Sequence, residues 1–213
     1  MNSPTKNRNI RQRMNAWLLN QADRIMDRVY GARKRAIFSQ LPQTVVEIGP
    51  GAGANLRYYA PRTRVIAIEP NRALHPALTE RARRYGLDLE IHPIRGENID
   101  LPDQSAPAVV GSLVLCSVSD PDRVLSEVRR ILAPGGRYLF IEHVAAMPGT
   151  PLRGIQQQLR TLWRWLFDGC HLNRDTHLAI QHAGFARVDM DCFTLQSSWL
   201  PFAPHIFGWA LNG

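Results

Sequence analysis

The sequence predicts an α/β domain: a mostly parallel sheet with helices on both faces. Three observations carry that expectation. Short, continuously apolar stretches alternate with longer amphipathic ones between residues 45 and 142. Strands buried on both faces read as apolar runs, and parallel neighbours need crossover connections. A glycine-rich turn, Gly49–Gly53, follows the first apolar run. The length of 213 residues suits one domain of this type.

The elements follow in chain order. From about Arg11 to Phe38, Trp17, Leu18, Ile25, Val29 and Ile37 interleave with charges, which predicts a helix with Gly31 as a point of interruption. Residues 1–40 are read as a basic helical arm and residues 41–213 as the main domain. Val45–Ile48 is the first strand, and a helix is expected from about Ala54. Val65–Ile68 is the second strand, His75–Tyr85 a helix, Leu89–Pro93 the third strand and Ala108–Leu115 the fourth. Asp120–Leu132 reads as a helix with Pro121 near its start, where proline is tolerated. Pro134-Gly135-Gly136 turns the chain into a fifth strand, Arg137–Glu142. This amounts to four strand–helix alternations. Residues 152–167 and Thr176–Ala183 are helical, and Val188–Leu195 and Ile206–Ala210 complete a seven-stranded sheet as antiparallel strands.

Composition excludes several function classes. With 45% hydrophobic and 21% charged residues the chain reads as globular. No apolar run approaches the roughly 18–20 residues that span a bilayer, and no secretory core is visible, so a cytoplasmic location is expected. Cys116, Cys170 and Cys192 are too few and too scattered for a disulfide framework. None belongs to a CxxC pair, which argues against a metal site, and packing is the reading for Cys116 and Cys170. The first 40 residues hold nine basic and two acidic side chains, so +7 of the net +8 lies there and the remainder is nearly neutral. A nucleic-acid partner is therefore not expected. The arm suits peripheral contact with an acidic membrane surface or an anionic substrate, or it is a solvated helical face. Phosphate-loop, His-Glu-x-x-His and nucleophile-elbow motifs are all lacking, which removes support for phosphoryl transfer and metallohydrolysis.

The chemistry lies in an ordered constellation. Glu47-Ile48-Gly49-Pro50-Gly51-Ala52-Gly53 ends the first strand, where glycines let a backbone approach a ligand closely. Glu69 ends the second strand, 18 residues beyond Gly51. A carboxylate there accepts hydrogen bonds from both hydroxyls of a ribose. Gly96-Glu97-Asn98 follows the third strand, Leu115-Cys116-Ser117 the fourth, and Pro134-Gly135-Gly136 leads into the fifth. Ligands of open α/β sheets bind at the carboxyl ends of strands.

This pattern resembles class I S-adenosylmethionine-dependent methyltransferases over about residues 43–145. The resemblance implies a Rossmann-like fold, S-adenosylmethionine as cofactor, and methyl transfer. Further segments are similar to the methyltransferase-like 7 group, which includes alkyl thiol S-methyltransferases. They are Gly51–Asn55, Glu69-Pro70-Asn71, Gly96-Glu97-Asn98, Leu113–Val118, Glu142-His143-Val144, Leu166–Arg174 and Pro204–Gly208. Carried onto this chain, the resemblance implies cofactor contacts from Glu47, Gly49, Gly51, Gly53, Asn55, Glu69, Pro70, Gly96, Glu97 and Leu115. It also implies a small-molecule acceptor, a thiol foremost. Two departures stand out: a charged arm replaces the group's hydrophobic N-terminal anchor, and Glu69 replaces the usual Asp.

Direct methyl displacement needs the nucleophile within about 3–3.5 Å of the methyl carbon, with water excluded. A thiol must also ionise. His143, after the fifth strand, is the first candidate for that proton, and a structural strand-end histidine is the other reading. Asp168, in an Asp-Gly turn, is the second candidate, with turn formation as its alternative. Trp163, Trp165, Phe167, Trp199 and Phe202 suit an apolar acceptor pocket or the core. An O- or N-methyltransferase of a quinone, phospholipid or other amphiphile also fits, as does a nucleic-acid-binding or regulatory protein that retains the cofactor fold.

Overall fold

The computed structural model describes residues 27–167, 169–195 and 200–213. Asp168, Trp199 and residues 1–26 of the basic arm lie outside these. The described chain opens with helix α1, residues 27–38. In order follow β1 (Thr44–Ile48), β2 (Arg64–Ile68), α2 (His75–Tyr85), β3 (Asp88–His92), β4 (Ala106–Ser112), α3 (Pro121–Ile131), β5 (Leu132–His143), α4 (Pro151–Leu166), α5 (Thr176–His182), β6 (Arg187–Thr194) and β7 (Pro204–Leu211).

The seven strands form one sheet in the order β3-β2-β1-β4-β5-β7-β6. All neighbours are parallel except β7, which runs antiparallel to both β5 and β6. The order reverses direction between β1 and β4, which pair through Val46 and Val109. Such a switch point opens a crevice at the carboxyl ends of the strands.

Side chains that alternate along each strand feed two cores. On one face Val46, Ile48, Ile68, Val109, Tyr138 and Phe140 pack with Val124, Leu125, Val128 and Ile131 of α3 and Ile180 of α5. On the other, Val45, Val65, Ala67, Val110 and Leu139 pack with Phe38 of α1 and Leu78 and Ala82 of α2. Helices therefore cover both faces, as expected. Local chemistry sets their ends. Asp120 Oδ1 caps α3 by accepting from the Arg123 N–H at 3.1 Å, and Pro121 follows in the first turn. Gly86 ends α2 in the left-handed region at φ 66°.

Four expectations are corrected. The helix from Ala54 is a single 3-10 turn, Leu56–Tyr58. Asn55 and Tyr59 turn their side chains inward to Glu47, and Pro61 disfavours further helical backbone before it. β4 stops at Ser112 rather than Leu115, because Leu113 turns left-handed at φ 57° and the next two amides face Glu142. The β3–β4 connection carries no helix among the described residues, so the alternation is incomplete. Gly31 does not interrupt α1.

Residues 27–38, assigned above to the arm, pack into the body. Tyr30, Lys34 and Phe38 recur at four-residue spacing on one helical face, and all three are buried. Among the described residues no helix is long and apolar enough to cross a membrane.

Candidate active site

The turn after β1 is shaped by three glycines that serve different ends. Gly49, Gly51 and Gly53 all have positive φ, at 62°, 61° and 87°, where side chains beyond hydrogen are disfavoured. A Cβ on Gly49 would stand 2.5 Å from Val114 Cγ2, and one on Gly53 would stand 3.0 Å from Leu56 Cδ1. Those two glycines allow close packing. A Cβ on Gly51 would meet nothing within 4 Å, so this glycine faces open space. Beside it lies Glu69, only 5% exposed. Glu69 Oε2 accepts from the Gly51 N–H at 3.0 Å, and Oε1 accepts from the Asn71 N–H at 2.7 Å. A carboxylate only accepts hydrogen bonds, which is the chemistry a vicinal diol requires of its partner. An open cradle over a left-handed glycine, with a buried carboxylate at its edge, fits the nucleoside of S-adenosylmethionine.

Beneath the turn lies a buried polar network. Glu47 Oε1 accepts from Asn55 Nδ2 at 2.7 Å, and Oε2 accepts from the Tyr59 hydroxyl at 2.7 Å. Asn55 Oδ1 in turn accepts from Lys34 Nζ at 2.6 Å. Burial pushes the Glu47 carboxyl up, opposed by those two hydrogen bonds and the Lys34 charge. Asn55 is thus a bridge between α1 and β1. Pro70 is exposed. Gly96 is packed, its would-be Cβ 3.0 Å from Ile48 Cγ2. Glu97 Oε1 accepts from the Ser119 and Asp120 N–H groups at 2.8 and 3.3 Å, at the entry to α3.

The carboxyl ends of β4 and β5 form a second cluster. Glu142, fully buried, accepts through Oε1 from the Val114 and Leu115 N–H groups at 3.0 and 3.1 Å. Its Oε2 has no partner among the described residues. Burial pushes its carboxyl up to about 7. The Leu115 carbonyl accepts from Arg174 Nη1 at 2.5 Å, and the Val118 carbonyl from the same nitrogen at 2.8 Å. Leu115 itself is an anchored, fully buried side chain.

His143 ends β5 and is 6% exposed, with Nε2 at 3.0 Å from Cys170 Sγ. Trp163 Nε1 donates to the same sulfur at 3.3 Å. Cys116 completes the group: its sulfur, the Cys170 sulfur and a His143 ring nitrogen all lie within 4.8 Å of one another. The neighbouring Cys116, then the contacts from His143 and Trp163, hold the Cys170 thiol well below its ordinary range. Cys116 is pushed up by Cys170 beside it and by burial. The Trp163 ring stacks on Phe167 at 4.1 Å and tilts against Phe202 at 5.5 Å, whereas Trp165 is 61% exposed. Lys34, Tyr59, Glu142, Arg174 and the assembled cysteines went unread as site residues. An acid that directly follows the apolar run Tyr138–Ile141 was the one available signal.

Comparison with known proteins agrees with this fold. A methyltransferase-domain family matches residues 46–140. The thiol S-methyltransferase TMT1B of Rattus norvegicus is 38% identical over 192 residues, covering 85% of this chain and 79% of the relative. This chain belongs to that family. The human thiol S-methyltransferase TMT1A matches with the same identity and coverage. A SAM-dependent methyltransferase of Thermotoga maritima superposes with a TM-score of 0.63 at 18% identity, covering 93% of this chain and 97% of that one. The protein is an S-adenosylmethionine-dependent methyltransferase with the Rossmann-like fold of that class.

Proposed function

We propose that the enzyme methylates the sulfur of a small-molecule thiol. The observation that carries this reading is the 38% identity, over most of both chains, to relatives named thiol S-methyltransferases. The cofactor supplies a methyl carbon activated by its sulfonium. The chain's own residues supply position and environment. Gly51 brings backbone close to the nucleoside, Gly49 and Gly53 let the turn pack tightly beneath it, and Glu69 receives the ribose hydroxyls. The Leu115 backbone is fixed between Glu142 and Arg174 beside the switch point. Trp163, stacked on Phe167 and tilted against Phe202, gives the acceptor an apolar surface. His143, at the end of β5 in the sulfur cluster, promotes ionisation of the acceptor thiol, whose ordinary pKa is about 8.5. Asp168 lies outside the described residues and is kept as a second candidate from sequence.

One observation favours a second reading. Leu162, Trp165, Leu166 and Phe167 of the α4 region are all exposed, which suits an amphiphilic acceptor such as a phospholipid or quinone. A panel of alkyl thiols, aryl thiols, phenols, amines and phospholipids with labelled methyl donor decides between them. Thiol turnover is expected; label appearing only in a phenol or lipid amine would overturn the thiol reading.

A further inference from the structure

We propose that Cys116, His143 and Cys170 bind a zinc ion whose open fourth position takes the acceptor thiol as a thiolate. The three donors come from three segments: the turn after β4, the last residue of β5 and the loop after α4. They converge within 4.8 Å and all are buried. Two sulfurs and an imidazole nitrogen are the ligand set of catalytic zinc sites that retain one exchangeable position. Zinc–ligand bonds of about 2.0–2.3 Å in a tetrahedron place ligand atoms about 3.5–3.8 Å apart. The 3.0 Å His143–Cys170 pair therefore needs to open by only about half an ångström.

Charge supports the ion. A divalent cation with two thiolates and a neutral imidazole sums to zero, which a buried site tolerates far better than an isolated ion. The Trp163 N–H on Cys170 Sγ is the kind of outer hydrogen bond that orients a ligating thiolate. The site also lies where an acceptor is needed, beside Leu115 and at the carboxyl ends of β4 and β5. A thiol that enters the fourth position displaces water. Its S–H bond breaks, the electron pair stays on sulfur as the zinc–sulfur bond forms, and the proton leaves to solvent. The thiolate part of this inference rests on the thiol reading above, with His143 then promoting ionisation as a zinc ligand and not as a base; the metal part does not.

The test uses the full-length chain, reduced, stripped with a chelator and reloaded with zinc or cobalt(II) alone. Mass spectrometry should find about one metal per chain, and the cobalt form should show intense tetrahedral absorption with thiolate charge transfer. Cys116→Ser and Cys170→Ser should each weaken metal binding by on the order of 100-fold while retaining affinity for S-adenosylmethionine. If either variant fails to fold, alkylation of the wild type replaces it. Zinc should then protect Cys116 and Cys170 but not the exposed Cys192. An alkyl thiol added without cofactor should shift the cobalt bands. Failure to take up metal after reduction overturns the site, and undiminished thiol methylation by the stripped enzyme overturns its part in the reaction. Cobalt bands that ignore the thiol overturn the open position. A zinc-loaded enzyme that methylates phenols or amines but no thiol upholds the metal and overturns the acceptor reading.

Discussion

The Gly51 N–H donates to Glu69 Oε2 across 3.0 Å, so a loop amide and an acid 18 residues away form one preorganised unit. The carboxylate is held in place by the loop it serves. Glu69→Ala should weaken S-adenosylmethionine binding by about 1.5–3 kcal/mol, the range for hydrogen bonds to a charged group. Calorimetry of cofactor and demethylated product checks this. Unchanged affinity would place the ribose elsewhere.

Gly51 and Gly49 should separate binding from stability. Both sit in the left-handed region, where an alanine costs about 1–2 kcal/mol. Only Gly49 also lacks room, since its Cβ would press on Val114. Gly51→Ala should unfold only slightly earlier yet lose cofactor affinity, because the methyl enters the open cradle. Gly49→Ala should show the larger fall in denaturation midpoint. Unchanged cofactor affinity in Gly51→Ala would show that the space over Gly51 has no bearing on binding, and equal denaturation midpoints for the two variants would show that the Gly49–Val114 contact costs nothing.

The Lys34–Asn55–Glu47–Tyr59 chain predicts that α1 is needed for the site. Lys34→Met removes the donor to Asn55 Oδ1 and the cation that offsets Glu47. Leaving such groups unsatisfied costs about 1–3 kcal/mol. Denaturant titration should show a lower midpoint with unchanged slope. Tyr59→Phe, which strips one bond from Glu47, should fall in the same range. If neither variant moves the midpoint, the network does not carry stability.

The sheet was legible because its evidence is local. Runs such as Val65–Ile68 and Ala108–Val110 are apolar along their whole length, and the caps of α2 and α3 sit beside the helices they bound. What escaped reading is long-range. The end of β4 is set by Glu142, which captures two amides 27 and 28 residues earlier. The helix expected from Ala54 is cut short because Asn55 and Tyr59 bond to Glu47 instead of solvent. Lys34 looked like one charge among nine, yet its fourfold spacing with Tyr30 and Phe38 buries it. The Cys116–His143–Cys170 group draws on three separate segments, so no sequence spacing could announce their convergence. The Gly51–Glu69 relationship was visible as spacing alone, since strand–turn–strand geometry fixes how such an acid meets the loop.

His205 provides a pH test of how α1 is joined to the sheet. It is 1% exposed on β7, with Nδ1 at 2.9 Å from the Ala203 carbonyl and Nε2 at 2.6 Å from the Tyr30 hydroxyl. The ring is neutral in that arrangement: Nδ1–H donates to the carbonyl, so Nε2 accepts from the tyrosine. Burial, with smaller contributions from His143 and Arg33, lowers the His205 pKa from 6.5 to about 4, against the opposing pull of the Ala203 carbonyl. The unfolded chain therefore takes up this proton first as pH falls. The stabilisation is fully present above about pH 6.5 and is lost progressively toward pH 4, where it levels off. Integrated across that window the linkage amounts to about 3 kcal/mol. His205→Gln keeps an acceptor for Tyr30 but does not titrate. Denaturant unfolding of both proteins at intervals from pH 4 to 7 should show wild-type stability rising more steeply with pH than that of the variant. The excess rise should be on the order of 3 kcal/mol. Tyr30→Phe should lower stability at pH 7 by about 1 kcal/mol, the typical net value of one hydrogen bond, and leave the sign of the slope unchanged. Parallel pH profiles for wild type and His205→Gln would show that His205 titrates alike in the folded and unfolded chains.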